Sequence, residues 1–161
     1  GEQTATPPGT QAEVLLTLDE VAVLPAEHAL AMRPVLGLGD FAGLPFVSLS
    51  ADDPYRRQID ALFAQAGVQR QLRLETHSAV AVCAMVQQGL GVAIVNPLTA
   101  LAAVQGSGGA LVLRRLAFSV PFSVSVVRPL FRAPLPEVAP MLGALRLETR
   151  ALVERFGEMV G

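Results

Sequence analysis

The chain contains no lysine, and all 12 of its basic residues are arginines. Set against 14 acidic residues they leave a formal net charge of −2, and they are scattered from Arg33 to Arg155. A nucleic-acid surface needs a clustered basic face, so this composition excludes DNA binding by this chain alone. Cysteine is nearly as scarce. The single Cys83 excludes an intramolecular disulfide and any cysteine-rich metal site. Its place inside an apolar helical pattern makes it a packed thiol rather than a nucleophile. No apolar run approaches the roughly 20 residues a membrane-crossing helix requires. The opening GEQTATPPGTQ has neither a basic start nor an apolar core, so nothing in the chain as given marks a secretory signal, and the expected compartment is the cytoplasm.

Several chemical signatures are missing too. The glycine pairs in LGLG (36–39) and GSGG (106–109) lack the strand-to-helix setting and the Lys-Ser/Thr pair of a phosphate loop, and read as turns. There is no nucleophile elbow, and no second histidine or metal-ligand partner stands at a useful spacing from His77. No catalytic residue, metal ligand or cofactor is therefore assigned.

What is present is a chain of 161 residues, 52% of them hydrophobic, which is one ordinary domain's length. The first eleven residues read as a frayed end, with order beginning near Glu13. Residues 13–24 form one bent strand or two, broken at Asp19-Glu20 and ended by Pro25. A helical turn is predicted over 36–42, a buried strand over 45–50, and then a helix with Asp53 as N-cap, Pro54 at its first position and Gly67 as terminator. Residues 71–75 alternate as a strand, 78–88 as a helix closed by Gly89, and 91–95 as a strand interrupted by Asn96-Pro97. A short helix over 98–104, strands over 111–116 and 122–127, and a helix over 136–159 complete the chain. Arg114-Arg115 reads as an exposed pair. The alternation predicts an α/β domain with a mainly parallel sheet, whose ligand sites lie at the carboxyl ends of the strands.

Two clusters carry the polar chemistry. In Glu75-Thr76-His77-Ser78, hydroxyls precede a helix, where free amides and the helix dipole attract a carboxylate or phosphate. The simpler reading of the same residues is plain capping, with His77 as a polar wall. In SLSADDPYRR, Ser48, Ser50, Asp52, Asp53, Tyr55 and Arg56 combine hydroxyls, acids that can hold an ammonium and an arginine that can grip a carboxylate, a set suited to an amino acid. The alternative there is Asp53 as cap, Arg56 and Arg57 on a solvated helix face and Tyr55 as partial core. Asn96 reads as a ligand contact or as the fixing of a turn.

The runs LTLDEVAVLPAEHALA, PFVSLSADDPYRRQIDALF, ETHSAVAVCAMVQQGLGVAIVNPLTAL and VPFSVSVVRPL resemble the effector-binding domain of the LysR-type transcriptional regulators. Among these, the ETHSAVAVCAMV and VNPLTAL strings are the most specific, and they point to the regulators of lysine biosynthesis. The resemblance spans about residues 13–131. It implies a fold like type 2 periplasmic binding proteins, in which two α/β lobes joined by crossover strands hold an effector between them. On that template residues 1–21 end a first-lobe segment and crossover, 22–126 form a nearly complete second lobe, and 127–161 form the return crossover and a first-lobe helix. The rest of the first lobe and the N-terminal helix-turn-helix would precede this chain, so the family's DNA binding transfers to no residue here.

Carried over by position, the resemblance implies effector contacts from Ser48, Ser50, Ala51, Thr76, His77, Ser78, Asn96 and Pro97, with Asp52, Asp53, Tyr55 and Arg56 as additional contacts. The implied effector is diaminopimelate, with lysine as its counter-signal, and no cofactor is implied. A truncated first lobe would leave apolar faces of the last helix, and of helix 54–66, without partners. That favours a homodimer or a higher homo-oligomer. The expected function is effector sensing without bond making or breaking. The alternative is a solute-binding protein of a transport system for a small amino acid or carboxylate. An enzyme using His77 with Asp52 or Asp53 has no supporting partner geometry.

Overall fold

A computed structural model describes residues 6–130 and 136–160. The parts of the frayed start at 1–5 and of the return segment at 131–135 lie outside the described residues. Two compact units are present: residues up to Leu18 with Pro121–Met159 form one, and Asp19–Val120 form the other.

The first unit pairs β1 (Thr10–Asp19) with β8 (Pro121–Pro129) and carries α4 (Val138–Val160). Strand β1 starts three residues earlier than expected. Gly9 takes a left-handed turn at φ 74°, its carbonyl accepts the Leu130 amide, and pairing thus reaches back beyond the apolar pattern that alone marks a strand in sequence. Arg146 on α4 pairs with Glu13. Leu142 is the buried residue of α4, while Met141, Leu145, Leu147 and Val153 are exposed.

In the second unit β2 (Val21–Pro25) is the central strand and is buried on both faces, which explains its unbroken apolar sequence. Around it the order is β3 (Val35–Leu36), β7 (Leu111–Leu116), β2, β6 (Ala93–Val95). A parallel bridge from Val92, ahead of β6, to Phe46 leads on to the parallel pair β4 (Pro45–Leu49) and β5 (Gln71–Thr76). The sheet is mixed rather than mainly parallel, because β2 runs antiparallel to both β6 and β7. The cause is the connection: α3 (Pro97–Gly106) carries the chain from β6 over β2 to β7, so β6 and β7 share a direction and β2, entered straight from β1, opposes them.

Helix α1 (Pro54–Ala66) is bounded as its sequence predicts, with the Asp53 carboxylate accepting the Tyr55 and Arg56 amides and Gly67 left-handed at its end. Its apolar face has a partner after all. Ile59 and Phe63 pack with Ala22, Leu24, Phe41, Phe46 and Ile94 in one core, so the expected unpartnered face of this helix does not exist. Arg70 lies over the Phe46 and Phe63 rings, 4.7 and 4.1 Å from their centroids, and pairs with Asp60. Helix α2 (Ala79–Gln87) buries Val82, Cys83 and Val86. Burial pushes the Cys83 thiol up to about 11, which makes it the inert packed thiol expected. Arg114 is not a free surface residue: it donates to the Ala31 and Arg33 carbonyls and pins the turn before β3.

Gly91 sits where β4 and the approach to β6 come closest. A Cβ there would lie 2.7 Å from the Pro45 carbonyl oxygen, which also accepts the Val92 amide, and its φ of +156° is one that side-chain-bearing residues avoid. The Phe46 amide nitrogen would lie 3.1 Å away, and both groups are backbone that cannot swing aside. Gly91→Ala is expected to lower unfolding stability by about 2 kcal/mol in urea titration, whereas Gly89→Ala, with open space around it, costs only its left-handed strain of about 1 kcal/mol.

Candidate functional site

Strand direction gathers the polar residues at one edge. Strands β4, β5 and β6 are parallel and end at Leu49, Thr76 and Val95, and each leads into a helix start; antiparallel β2 brings its first residue to the same edge, since Val21 pairs with Val95. Three N-caps therefore meet the carboxyl end of the sheet: Asp53 for α1, Ser78 for α2 and Asn96 for α3.

The three helix starts differ in what they leave open. At α1, Pro54 has no amide, and the next three amides are taken by Asp53. At α3, Pro97 again has none, and Asn96 binds the Thr99 amide (2.9 Å) and hydroxyl (3.0 Å). At α2 the Ser78 hydroxyl takes the Ala81 amide at 3.3 Å, and the Thr76 hydroxyl takes the Ser78 amide at 3.4 Å. The amides of Ala79 and Val80 have no partner among the described residues. Only α2 offers a pair of unfilled donors with the positive end of a helix dipole behind them.

The first cluster is joined to the second through Ser50. Its amide donates to the Thr76 carbonyl (3.0 Å), its hydroxyl donates to Asp52 (2.7 Å), and the same oxygen lies 2.8 Å from His77 Nδ1. With the serine proton on Asp52, His77 donates from Nδ1 and presents Nε2 outward. The Ser50 hydrogen bond first, then the Asp52 amide and the charges of His77 and Arg57, hold the Asp52 carboxyl below the usual range. The order Asp52–Ser50–His77 places serine in the middle, whereas nucleophilic activation needs the base between nucleophile and acid. Among the described residues no group of three or more His, Cys, Asp or Glu could hold a metal ion.

The remaining candidates divide. Ala51, His77 and Ser78 are exposed at the edge, while Ser50, Thr76 and Asn96 are half-buried there. Pro97 is buried as the first residue of α3, and Tyr55 packs against the core. Arg56 is the main departure. Neither solvated nor free for a ligand, its side chain is 6% exposed, and its guanidinium donates to the Leu49 carbonyl (2.7 Å), Asp60 (2.7 Å) and Glu75 (3.1 Å). Burial works against its charge, but the Asp60 and Glu75 contacts outweigh that and hold its pKa above the ordinary value.

Two buried polar groups complete the edge. Ser48 is buried on β4, and its hydroxyl has no hydrogen-bond partner among the described residues. Glu20, between β1 and β2, is 2% exposed, and its carboxyl likewise has no hydrogen bond or ion pair among the described residues. Burial first, and then the Asp53 carboxylate, raise Glu20 to about 8. In sequence Glu20 signals only a break in a strand. The clue was an acidic pair, Asp19-Glu20, set between the largely apolar runs 14–18 and 21–24.

The family model for the LysR substrate binding domain matches residues 1–150. The chain belongs to this LysR family. As a LysR domain it is 47% identical over 148 residues to the transcriptional activator protein LysR of Escherichia coli, a match covering 92% of this chain and 47% of that protein. It is 30% identical over 145 residues to the regulatory protein NocR of Agrobacterium tumefaciens, covering 90% and 47%. The chain thus spans about half the length of these curated relatives. Among solved structures, the Synechocystis CcmR regulatory domain in complex with 2-PG superposes with a TM-score of 0.70 at 17% identity, covering 90% of this chain and 71% of that one. HinK, a LysR family regulator of Pseudomonas aeruginosa, gives 0.68 at 24%, covering 92% and 50%. These likenesses establish the LysR effector-domain fold, the type 2 periplasmic-binding-protein-like architecture anticipated from the sequence strings.

Proposed function

We propose that this LysR domain senses a small amino acid of the lysine pathway, with diaminopimelate the first candidate, at the carboxyl edge of the Asp19–Val120 unit. The observation that carries the reading is the open start of α2, where the Ala79 and Val80 amides and the Thr76 and Ser78 hydroxyls form a ready site for a carboxylate. Ser50, His77 and Asp52 flank it with further donors and acceptors. The 47% identity to a transcriptional activator supports a regulator over a transport protein. Effector binding then works by differential affinity for two arrangements of the whole protein and makes or breaks no bond. DNA contact would come from a helix-turn-helix outside this chain, in a cytoplasmic homo-oligomer. Among the described residues no helix is long and apolar enough to cross a membrane.

The test is the full-length regulator carrying Thr76→Ala and Ser78→Ala together. The pair is expected to weaken diaminopimelate binding at least tenfold in calorimetric titration and to leave operator affinity without effector unchanged. A double variant that binds diaminopimelate like the parent would sink the α2 site.

A further inference from the structure

We propose that Glu20 is an effector contact, the carboxylate that receives an ammonium group of the ligand. The inference rests on the reading of this edge as an effector site and assigns its second pole. Three observations converge on it. Glu20 is 2% exposed, yet its carboxyl has no hydrogen bond or ion pair among the described residues. Among the described residues Arg70 Nη1 is the side-chain polar atom both sealed from solvent and unpartnered. The unpartnered Glu20 oxygens therefore reach the small opening left to this residue, where a ligand would meet them, and the carboxyl has given up most of the hydration it had in the unfolded chain.

Its position is set by register. Val21 pairs with Val95, so the next residues outward on the two strands are Glu20 and Asn96, the N-cap of α3. By strand alternation Glu20 shares a face with Ala22 and Leu24, as Ser48 does with Phe46. Those apolar residues belong to one core cluster, so Glu20 and Ser48 cap the same core at the edge where α1 begins. Ser48 is 5% exposed, and its hydroxyl makes no hydrogen bond among the described residues.

The charge around Glu20 completes the case. The Asp53 carboxylate acts on it unfavourably, and Arg56, on the same helix, is already committed to Leu49, Asp60 and Glu75. Two carboxyls with no cation supplied by the protein form a site that a ligand cation completes. An amino acid would then bind with its carboxylate at the start of α2 and an amino group toward Glu20, while Ser48 accepts or donates alongside.

The experiment is calorimetric titration of the full-length regulator, as parent, Glu20→Gln, Glu20→Asp and the Thr76→Ala/Ser78→Ala pair. The probes are meso-diaminopimelate, L-lysine and pimelate, the last being the diaminopimelate skeleton without its amines. The parent is expected to bind an amine-bearing probe at least tenfold more tightly than pimelate. Glu20→Gln should erase that preference by weakening the amine-bearing probe tenfold or more with pimelate unchanged, and Glu20→Asp should lose less. Glu20→Gln is near-isosteric, and thermal unfolding verifies that both Glu20 variants are folded. Parental affinity of Glu20→Gln for the amines overturns the proposal. So does a parent that binds pimelate as well as diaminopimelate, or that binds neither amine. Loss in the Thr76/Ser78 pair with none in Glu20→Gln removes the ammonium contact and leaves the α2 site standing; the reverse pattern removes the α2 site alone.

Discussion

Glu20→Gln is expected to raise the unfolding free energy of the unliganded protein by about 3 kcal/mol at pH 7. The unfolded chain holds Glu20 as an ordinary carboxyl of pKa 4.5, whereas burial and the Asp53 carboxylate raise it to about 8 in the folded protein. Folding at neutral pH must therefore protonate a group that the unfolded chain leaves ionised. Over the interval from 4.5 to 7 that costs about 3 kcal/mol, at roughly 1.36 kcal/mol per pH unit. Glutamine has the shape and polarity of the protonated acid and needs no proton, so it forfeits little and escapes this cost.

The pH window follows from the raised value. Below about 4.5 both folded and unfolded chains carry the proton, and the two proteins should be equally stable. As pH climbs toward about 8 the parent loses stability relative to the variant, and above that the difference levels off at about 5 kcal/mol. Urea unfolding of both proteins at pH 5, 7 and 8.5 checks this, since titrating groups that do not act on Glu20 contribute alike and cancel in the difference. A difference that stays constant with pH would mean that Glu20 is hydrated in the folded state. A buried carboxyl that destabilises the fold it sits in is an expected signature of a binding residue, because sites keep costly groups that a core would replace.

That residue also shows where sequence stops being informative. The helix α1 was legible to the residue, since an Asp cap, a Pro at the first position and a terminal Gly are local signals with local causes. The same holds for Ser78 as a cap and for the strand pattern at Pro45–Leu49. Residues 10–12 of β1 were missed because their pairing comes from β8, more than a hundred residues away. The mixed sheet was missed for a similar reason: strand direction depends on whether a helix intervenes, and β2 looks like any other apolar run. At the site, Thr76 and Ser78 were readable as hydroxyls before a helix. The distinction that matters, that α2 leaves two amides open while α3 leaves one and α1 none, depends on Pro54, Pro97 and the reach of each cap. Glu20 and Arg56 were unreadable in role, because an acid at a strand break and an arginine in a first helical turn are ordinary surface residues until the fold buries them.

Arg56→Met is the second large effect, a loss of about 3 kcal/mol in unfolding stability with weaker effector binding. The guanidinium joins three segments, donating to the Leu49 carbonyl at the end of β4, to Asp60 on its own helix and to Glu75 at the end of β5. Methionine keeps most of the apolar stem and removes all three bonds, so packing loss is kept small. Asp60 and Glu75 are 39% and 47% exposed and can return to water, which discounts the ion pairs. The Leu49 carbonyl loses its charged donor beneath the helix, and such bonds contribute about 1.5–3 kcal/mol each. The functional consequence comes from position. Leu49 and Glu75 immediately precede Ser50 and Thr76, so Arg56 fixes the spacing over which the Ser50 amide reaches the Thr76 carbonyl and its hydroxyl reaches His77. Arg57, one residue on and exposed, makes no ion pair among the described residues, and Arg57→Met should shift stability by less than about 0.5 kcal/mol. Denaturant titration of the two variants side by side separates a buried tie from a surface charge, and equal losses would refute the role given to Arg56. If the tie positions the site, diaminopimelate affinity should fall several-fold in Arg56→Met even at temperatures where the variant is fully folded, and stay at the parental value in Arg57→Met.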